Sequence, residues 1–386
     1  MKRVALWMGG LVAAGVAIGA YVFFVHLPPR IDARLNAVIP HEPYPVSDEA
    51  RALHASLRVA DLHADTLLWA RDPLKRHERG HADVPRLVEG GVALQVFSAV
   101  TKSPSGLNYE RNAADSDDIT ALVIAQRWPM RTWDSLAERA LYQAERLADA
   151  ERRSQGAVRV IRTSGELDAA LADGALAGVL ATEGAHPLEE NLANLARLYD
   201  AGYRVLGLQH FFDNELGGSL HGESGTGLTA FGRSVVAEAE ARGMIIDVAH
   251  SSEAVVRDVL AMTIRPVIVS HTGFKGHCDT ARNFSDALMA DIAAKGGLIG
   301  VGFWDGAVCE PTLVEIAAAI GYGVDLLGAG HIALGSDYDG TTAVTFDASE
   351  MAALTQALLD AGFDAAAIRA VMGENAIRFF RDNLPQ

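Results

Sequence analysis

Short apolar or β-branched runs alternate with helix-like stretches along most of the chain. The runs are Val59–His63, Ala93–Val100, Gly178–Glu183, Tyr203–Gln209, Met244–Ala249, Pro266–Ser270, Leu298–Phe303 and Ile332–Ser336. The helix-like segments between most of them include Thr132–Arg152, Leu188–Ala201, Ala230–Arg242, Ser252–Met262 and Ser285–Lys295. Strands that alternate with helices predict parallel βα units. Eight such units are what a (β/α)8 TIM barrel of the α/β class needs. An open doubly wound sheet is the alternative. It is disfavoured because no glycine-rich phosphate loop follows the first strand.

The pattern changes at the start of the chain. No residue from Val4 to Val25 is charged, and the run is long enough to span a bilayer. The basic start at residues 1–3, Met1-Lys2-Arg3, predicts an N-terminus kept in the cytoplasm and a remainder that is exported. Residues 4–25 are therefore read as a transmembrane signal anchor at an inner membrane, with the rest of the chain on the periplasmic side. A cleaved signal peptide is the alternative, with a weak site at Ala17-Ile18-Gly19, but the apolar stretch Tyr21 to Val25 continues past it. Residues 26–50 hold several prolines and no sustained period, and read as a linker. That leaves residues 51–386 for the barrel.

Composition narrows the function. Apolar residues are 49% and charged residues 21%, so the chain can bury a sizeable core. The net charge of −16 argues against a nucleic-acid partner, because phosphate binding needs a basic surface. The two cysteines, Cys278 and Cys309, would meet an oxidising compartment after export; either a disulfide or two free thiols fits the sequence.

The chemistry gathers where barrel enzymes keep it, at the C-terminal ends of the strands. Those ends read Asp61-Leu62-His63-Ala64-Asp65, Thr182-Glu183-Gly184, Gln209-His210, Asp247-Val248-Ala249-His250, Ser270-His271-Thr272 and Gly335-Ser336-Asp337-Tyr338-Asp339. His63 and Asp65 are two apart and point to one side of an extended segment. Together they suit Zn²⁺. His250 and His271 could hold a second ion, with Glu183 bridging the two. Paired metals lower the pKa of a water towards neutrality and make a nucleophile of it. One strand-end histidine alone is more often a core or capping group than a ligand. Such residues at six strand ends are different, because clustered buried charge is costly unless it is paired or binds a metal. The remaining histidines, His26, His41, His54, His77, His81, His186, His221, His277 and His331, fall in loops, linkers or turns and read as structural.

These segments resemble the membrane dipeptidases, also called renal dipeptidases, of the amidohydrolase superfamily. Further matching stretches are Asp83-Val84-Pro85-Arg86-Leu87, Gln95-Val96-Phe97, Ala281-Arg282-Asn283 and Met244 to His250, in the family's order from about residue 50 to the end. The stretch from His210 to Gly222 looks like the bacterial branch. The resemblance implies two Zn²⁺ per chain. His63 and Asp65 would hold the first, His250 and His271 the second, and Glu183 both. No predicted strand end offers a lysine for the carbamylated bridge of many two-metal relatives. The resemblance further implies that His210 stabilises the oxyanion, that Asp337 moves the proton, and that Arg282 pairs with the substrate's free carboxylate. Substrates would be dipeptides, including those with a C-terminal D residue. A Cys278–Cys309 disulfide and a homodimer are implied in the same way. Mammalian members use a C-terminal lipid anchor, a role the N-terminal helix would take here. Phe303-Trp304 stands where those members carry tyrosine. Another two-zinc amidohydrolase, acting on N-acyl amino acids, lactams or phosphoesters, is the second reading. An inactive metal- or partner-binding barrel is the third.

Overall fold

The computed structural model describes residues 2–386, so Met1 of the predicted basic start lies outside the described residues. Among the described residues, nine strands form one all-parallel sheet. They are β1 (Val59–Ala64), β2 (Val92–Val100), β3 (Val158–Val160), β4 (Leu176–Glu183), β5 (Tyr203–Gly207), β6 (Ile245–Asp247), β7 (Ile268–Thr272), β8 (Leu298–Val301) and β9 (Ile332–Leu334). Their order is β2-β1-β9-β8-β7-β6-β5-β4-β3, and β2 also pairs with β4 from Leu94↔Ala177 to Val100↔Glu183. That last ladder closes an eight-stranded barrel, as the alternation of runs predicted.

The ninth strand, β3, was not read from the sequence. It pairs with the first residues of β4, Leu176 to Gly178, on the edge that β5 takes from Leu180 onward. It therefore braces the end of the barrel away from the strand C-termini. Its three residues are too few to show a period of two.

Two predicted helices are broken by local chemistry. Thr132–Arg152 divides at Ser135, whose extended backbone ends Arg131–Asp134 and whose side chain caps Leu136–Arg153 by accepting from the Glu138 amide. Leu188–Ala201 begins only at Ala193, because Glu189 and Glu190 adopt φ of 49° and 55°. Its end at Gly202, with φ of 108°, is an ordinary glycine stop.

The predicted linker is only partly one. Lys2–Tyr21, a π-helical turn at Val22–His26 and Leu27–Leu35 run on as one helix. The part from Gly10 to Leu35 is long and apolar enough to cross a membrane, and its apolar window is covered by no other part of the chain. A signal sequence passes the same test. Helix Asp48–His54, capped by Ser47, then spans the expected domain boundary at residue 50. The apolar core has two main parts. One lies between the sheet and the surrounding helices. The other joins strand residues such as Leu62, Val96, Val179 and Ile268 to Phe379, Phe380 and Leu384 at the chain's end.

Candidate active site

The eight predicted site residues meet at the C-terminal mouth of the barrel. His63 and His271 lie within β1 and β7, and Glu183 is the last residue of β4. Asp65, His210, His250 and Asp337 follow β1, β5, β6 and β9, and Arg282 sits on the loop after β7. None is more than 7% exposed. His250 and Asp337 take φ of 61° and 60°, sharp left-handed turns that aim each side chain back over the mouth. Two other strand-end carboxylates serve as ties. Asp61 accepts from the Ser336 amide and hydroxyl, both at 2.7 Å, and from Gln95 Nε2 at 2.8 Å. Asp247 accepts from the amides of Ala249 and Ser270, each at 3.0 Å.

Glu183 is the centre of the cluster. Its Oε1 lies 3.5 Å from His63 Nε2, 3.2 Å from His250 Nε2 and 3.4 Å from His271 Nε2. Its Oε2 faces His210 Nε2 at 3.6 Å. His63 Nε2 is also 3.6 Å from Asp65 Oδ2 and 3.8 Å from Asp337 Oδ1. Three compact donor sets result: His63–Asp65–Glu183, Glu183–His250–His271 and His63–His271–Asp337.

The electrostatics show what this arrangement lacks. Burial and the neighbouring Asp65 charge push Glu183 well above the usual carboxylate range. Burial, opposed by His63, moves Asp337 up to about 8. Burial would lower His63, but Glu183, Asp65 and Asp337 raise it to about 10. Burial drives His250 and His271 well below the ordinary value, helped at both by the nearby Arg282. The Nε2 atoms of those two rings approach to 2.9 Å. His63 Nε2, Asp65 Oδ1 and His250 Nδ1 are buried without a hydrogen-bond partner. Unpartnered buried polar atoms are costly, and three buried carboxylates face a single guanidinium here. Divalent cations would satisfy that excess. Imidazole nitrogen and carboxylate oxygen, with no thiolate, are the donors of a first-row or zinc site.

A cavity of about 110 Å³ lies over the cluster, walled by Tyr109, Phe211, Trp304 and Arg282. Arg282 Nη2 donates to the His271 carbonyl at 2.8 Å, and the guanidinium carbon lies 5.3 Å from the centre of the Trp304 ring system. Its Nε and Nη1 are buried and have no partner. Cys278 and Cys309 are bonded, with Cα atoms 5.7 Å apart. Asn283 Nδ2 reinforces that tie by donating to the carbonyls of Cys278 and Ala307, each at 2.9 Å. The Arg282 loop is thereby pinned to the segment that follows Trp304.

The sequence reading found Arg282 and Trp304 of the wall but passed over Tyr109 and the outer layer. Tyr109 accepts from Trp304 Nε1 at 2.9 Å and comes from a loop with no periodic signal. His221, read as a loop residue, is fully buried; its ring stacks on Phe211 at 4.8 Å and lies 5.3 Å from that of His250. His81 is fully buried too, and its Nδ1 accepts from the Asp339 amide at 2.9 Å. Nothing in the spacing of these histidines marks them, because long loops carry them in.

A closed βα barrel whose strand ends converge on a shared carboxylate and three imidazoles defines a metal-dependent hydrolase. Comparison with known proteins makes the class specific: the model of the membrane dipeptidase family, peptidase family M19, matches residues 47–384, and the chain belongs to that family. It is a hydrolase of the metallo-dipeptidase class. Dipeptidase verJ of Clonostachys rogersoniana is 28% identical over 77% of this chain and 74% of its own. Dipeptidase 3 of Mus musculus is 28% identical over 78% of this chain, and the match spans 63% of the mouse protein's length. A solved dipeptidase described as a metallopeptidase of family M19 is 26% identical, with a TM-score of 0.71 over 86% of this chain and 100% of that one. Residues 27–46 lie ahead of the family match.

Proposed function

We propose that the protein is a two-zinc dipeptidase held at a membrane by its N-terminal helix, with the barrel on the extracytoplasmic side. His63, Asp65 and Glu183 hold one ion, and Glu183, His250 and His271 the other. When bound, the ions supply Lewis acidity that brings a water's pKa towards neutrality. The observation that carries the reading is Glu183 Oε1, within 3.5 Å of ring nitrogens from β1, β7 and the end of β6.

The chain's own residues do the rest. Arg282 lines the small cavity and leaves Nε and Nη1 without a partner, so its guanidinium has donors free for a substrate carboxylate. Binding a free carboxylate at one end and a free amine at the other limits the substrate to two residues. Dipeptides with a C-terminal D residue are included in the proposal. Asp337, whose Oδ1 lies 3.8 Å from His63 Nε2, would take the proton that the attacking water loses and pass it to the leaving amine. His210 Nδ1 lies 3.2 Å from the Lys102 carbonyl, which assigns the proton to Nδ1. Its Nε2 then donates to a developing oxyanion only when the ring is charged. Burial lowers the ring's pKa to about 3, which opposes that charged form.

The test pairs metal content with a substrate panel, using the full-length protein in detergent. Two zincs per chain are expected, with chelator-sensitive cleavage of L-L and L-D dipeptides. Tripeptides, C-terminally amidated dipeptides and N-acyl amino acids should be spared. Cleavage of N-acyl amino acids in preference to dipeptides would transfer the site to the other amidohydrolase reading. A protein that takes up no metal would remove the reading altogether.

A further inference from the structure

We propose that residues 27–46 are a strap that holds the Asp337 loop in its working shape, and that Asp32 and Asn36 are positioning residues for turnover. The catalytic part of this inference rests on the role given to Asp337 above. The loop needs holding. Asp337, Asp339 and Thr341 have φ of 60°, 64° and 63°, left-handed values that side chains resist, most of all a β-branched threonine. Such a backbone persists only where its surroundings fix it. Inside the loop, Gly340 passes so close that a Cβ there would come within 1.9 Å of Asp337 Oδ1. The shape of the loop and the placement of the Asp337 carboxylate are thus one property.

The strap supplies part of the fixing, beside Trp69 Nε1, which donates to the Asp339 carbonyl, and the His81 amide, which donates to Asp339 Oδ1, each at 2.7 Å. Asn36 Oδ1 accepts from the Thr341 amide at 3.0 Å, and Asn36 Nδ2 donates to Asp32 Oδ1 at 2.9 Å. Asp32 Oδ2 accepts from Arg79 Nε at 2.7 Å and lies 3.1 Å from Arg71 Nε. Arg71 Nη2 then reaches Asp339 Oδ1 at 2.7 Å, and Thr66, beside Asp65, donates to Asp339 Oδ2 at 2.9 Å. Beyond the loop, the Ile39 amide donates to the Val344 carbonyl at 2.7 Å, the Val344 amide donates to the Ala37 carbonyl at 3.1 Å, and the Tyr44 hydroxyl donates to the Thr345 carbonyl at 2.8 Å. Asp32, Asn36, Arg71 and Asp339 are all at most 3% exposed.

A passive tether would leave its charges in water, because a buried ion is costly unless its partners are in place. Here a carboxylate of the segment that leads in from the apolar helix is buried in a chain of contacts ending two residues from Asp337. Residues 27–46 precede the part of the chain that the family model matches.

The experiment compares full-length protein carrying Asn36→Ala, Asn36→Asp, Asp32→Asn or His41→Ala. Dipeptide kcat and KM, zinc content and amide exchange across residues 337–342 are measured. Asn36→Ala and Asp32→Asn are expected to lower kcat about tenfold or more, with KM within about twofold and zinc retained, as for a small misplacement of a reacting group. Exchange across 337–342 should quicken in both, because the loop opens locally more often. Asn36→Asp keeps the acceptor for Thr341 but loses the donor to Asp32 and sets two buried carboxylates together, so it should be at least as impaired as Asn36→Ala. His41 pairs with Glu350 at 3.4 Å on the same strap but away from the loop, so its replacement should change neither. If Asp32→Asn does not fold, the two Asn36 variants decide the matter. Wild-type kcat together with unchanged exchange in Asn36→Ala overturns the strap. Faster exchange with wild-type kcat keeps the strap and overturns the role of Asp337.

Discussion

The two sides of Glu183 are built from similar residues and are electrostatically opposite. On one side His63 stands among Asp65, Glu183 and Asp337, and their charges outweigh its burial and raise it to about 10. On the other, His250 and His271 face Arg282 and the rings of His210 and His221, and burial with those neighbours drives both well down. One carboxylate thus divides a half in which a charged imidazole is paired with carboxyl groups from a half of neutral imidazoles beside a guanidinium. Under the proposed mechanism the halves divide the labour. The His63 side keeps the proton carrier, and the Arg282 side receives the substrate's negative charge.

Removing the shared group should break that contrast with the largest effect. Glu183→Gln keeps the shape but withdraws the charge common to both donor sets. A loss of several kcal/mol of charge stabilisation corresponds to a fall in kcat/KM on the order of 10⁴-fold. Metal analysis should show both sites weakened together. If only one ion is lost and turnover persists at a tenth of wild type, Glu183 is not shared. Asp337→Asn sharpens the contrast by acting on one half alone. It should retain both metals and nearly the same KM while kcat falls about 10²- to 10³-fold, the usual range for a lost acid–base group. Unchanged kcat would show that the proton travels by another route.

How much of this was legible in the sequence follows from how each residue is delivered. The residues on or just after strands were readable, because a βα barrel sends every strand end to one face and local order then fixes the meeting place. His63, Glu183 and His271 are of this kind. Tyr109, His221 and His81 reach the same place along loops, where sequence position says nothing about spatial position. The strap was misread for a related reason. Its prolines and mixed polarity look like a linker, and Leu27–Leu35 tolerates Pro28 and Pro29 as part of a helix only because they sit in its first turn. That Asp32 is buried depends on Arg71 and Arg79, which lie far along the chain.

The smallest expected effect tests whether the neutral half extends outward. His186 follows β4, stacks flat on Phe212 at 4.6 Å, and leaves Nε2 without a partner. Burial, with His210 and Lys102 nearby, lowers its pKa to about 3. The unfolded chain takes up a proton near pH 6.5 that the folded chain refuses until about pH 3. Because the folded value lies below the unfolded one, the stabilisation is complete above pH 6.5 and is lost as the pH falls towards 3. Denaturant unfolding of the zinc-loaded protein between pH 7 and pH 4 should therefore show stability falling with acid. His186→Phe keeps an aromatic ring against Phe212 and removes the titration, so the slope should be shallower by up to about one proton. The slope is the informative quantity, since any packing penalty of the larger ring shifts the whole curve without tilting it. Identical slopes in the two proteins would mean that His186 is solvated or paired, and that the neutral half stops at the histidines facing Glu183.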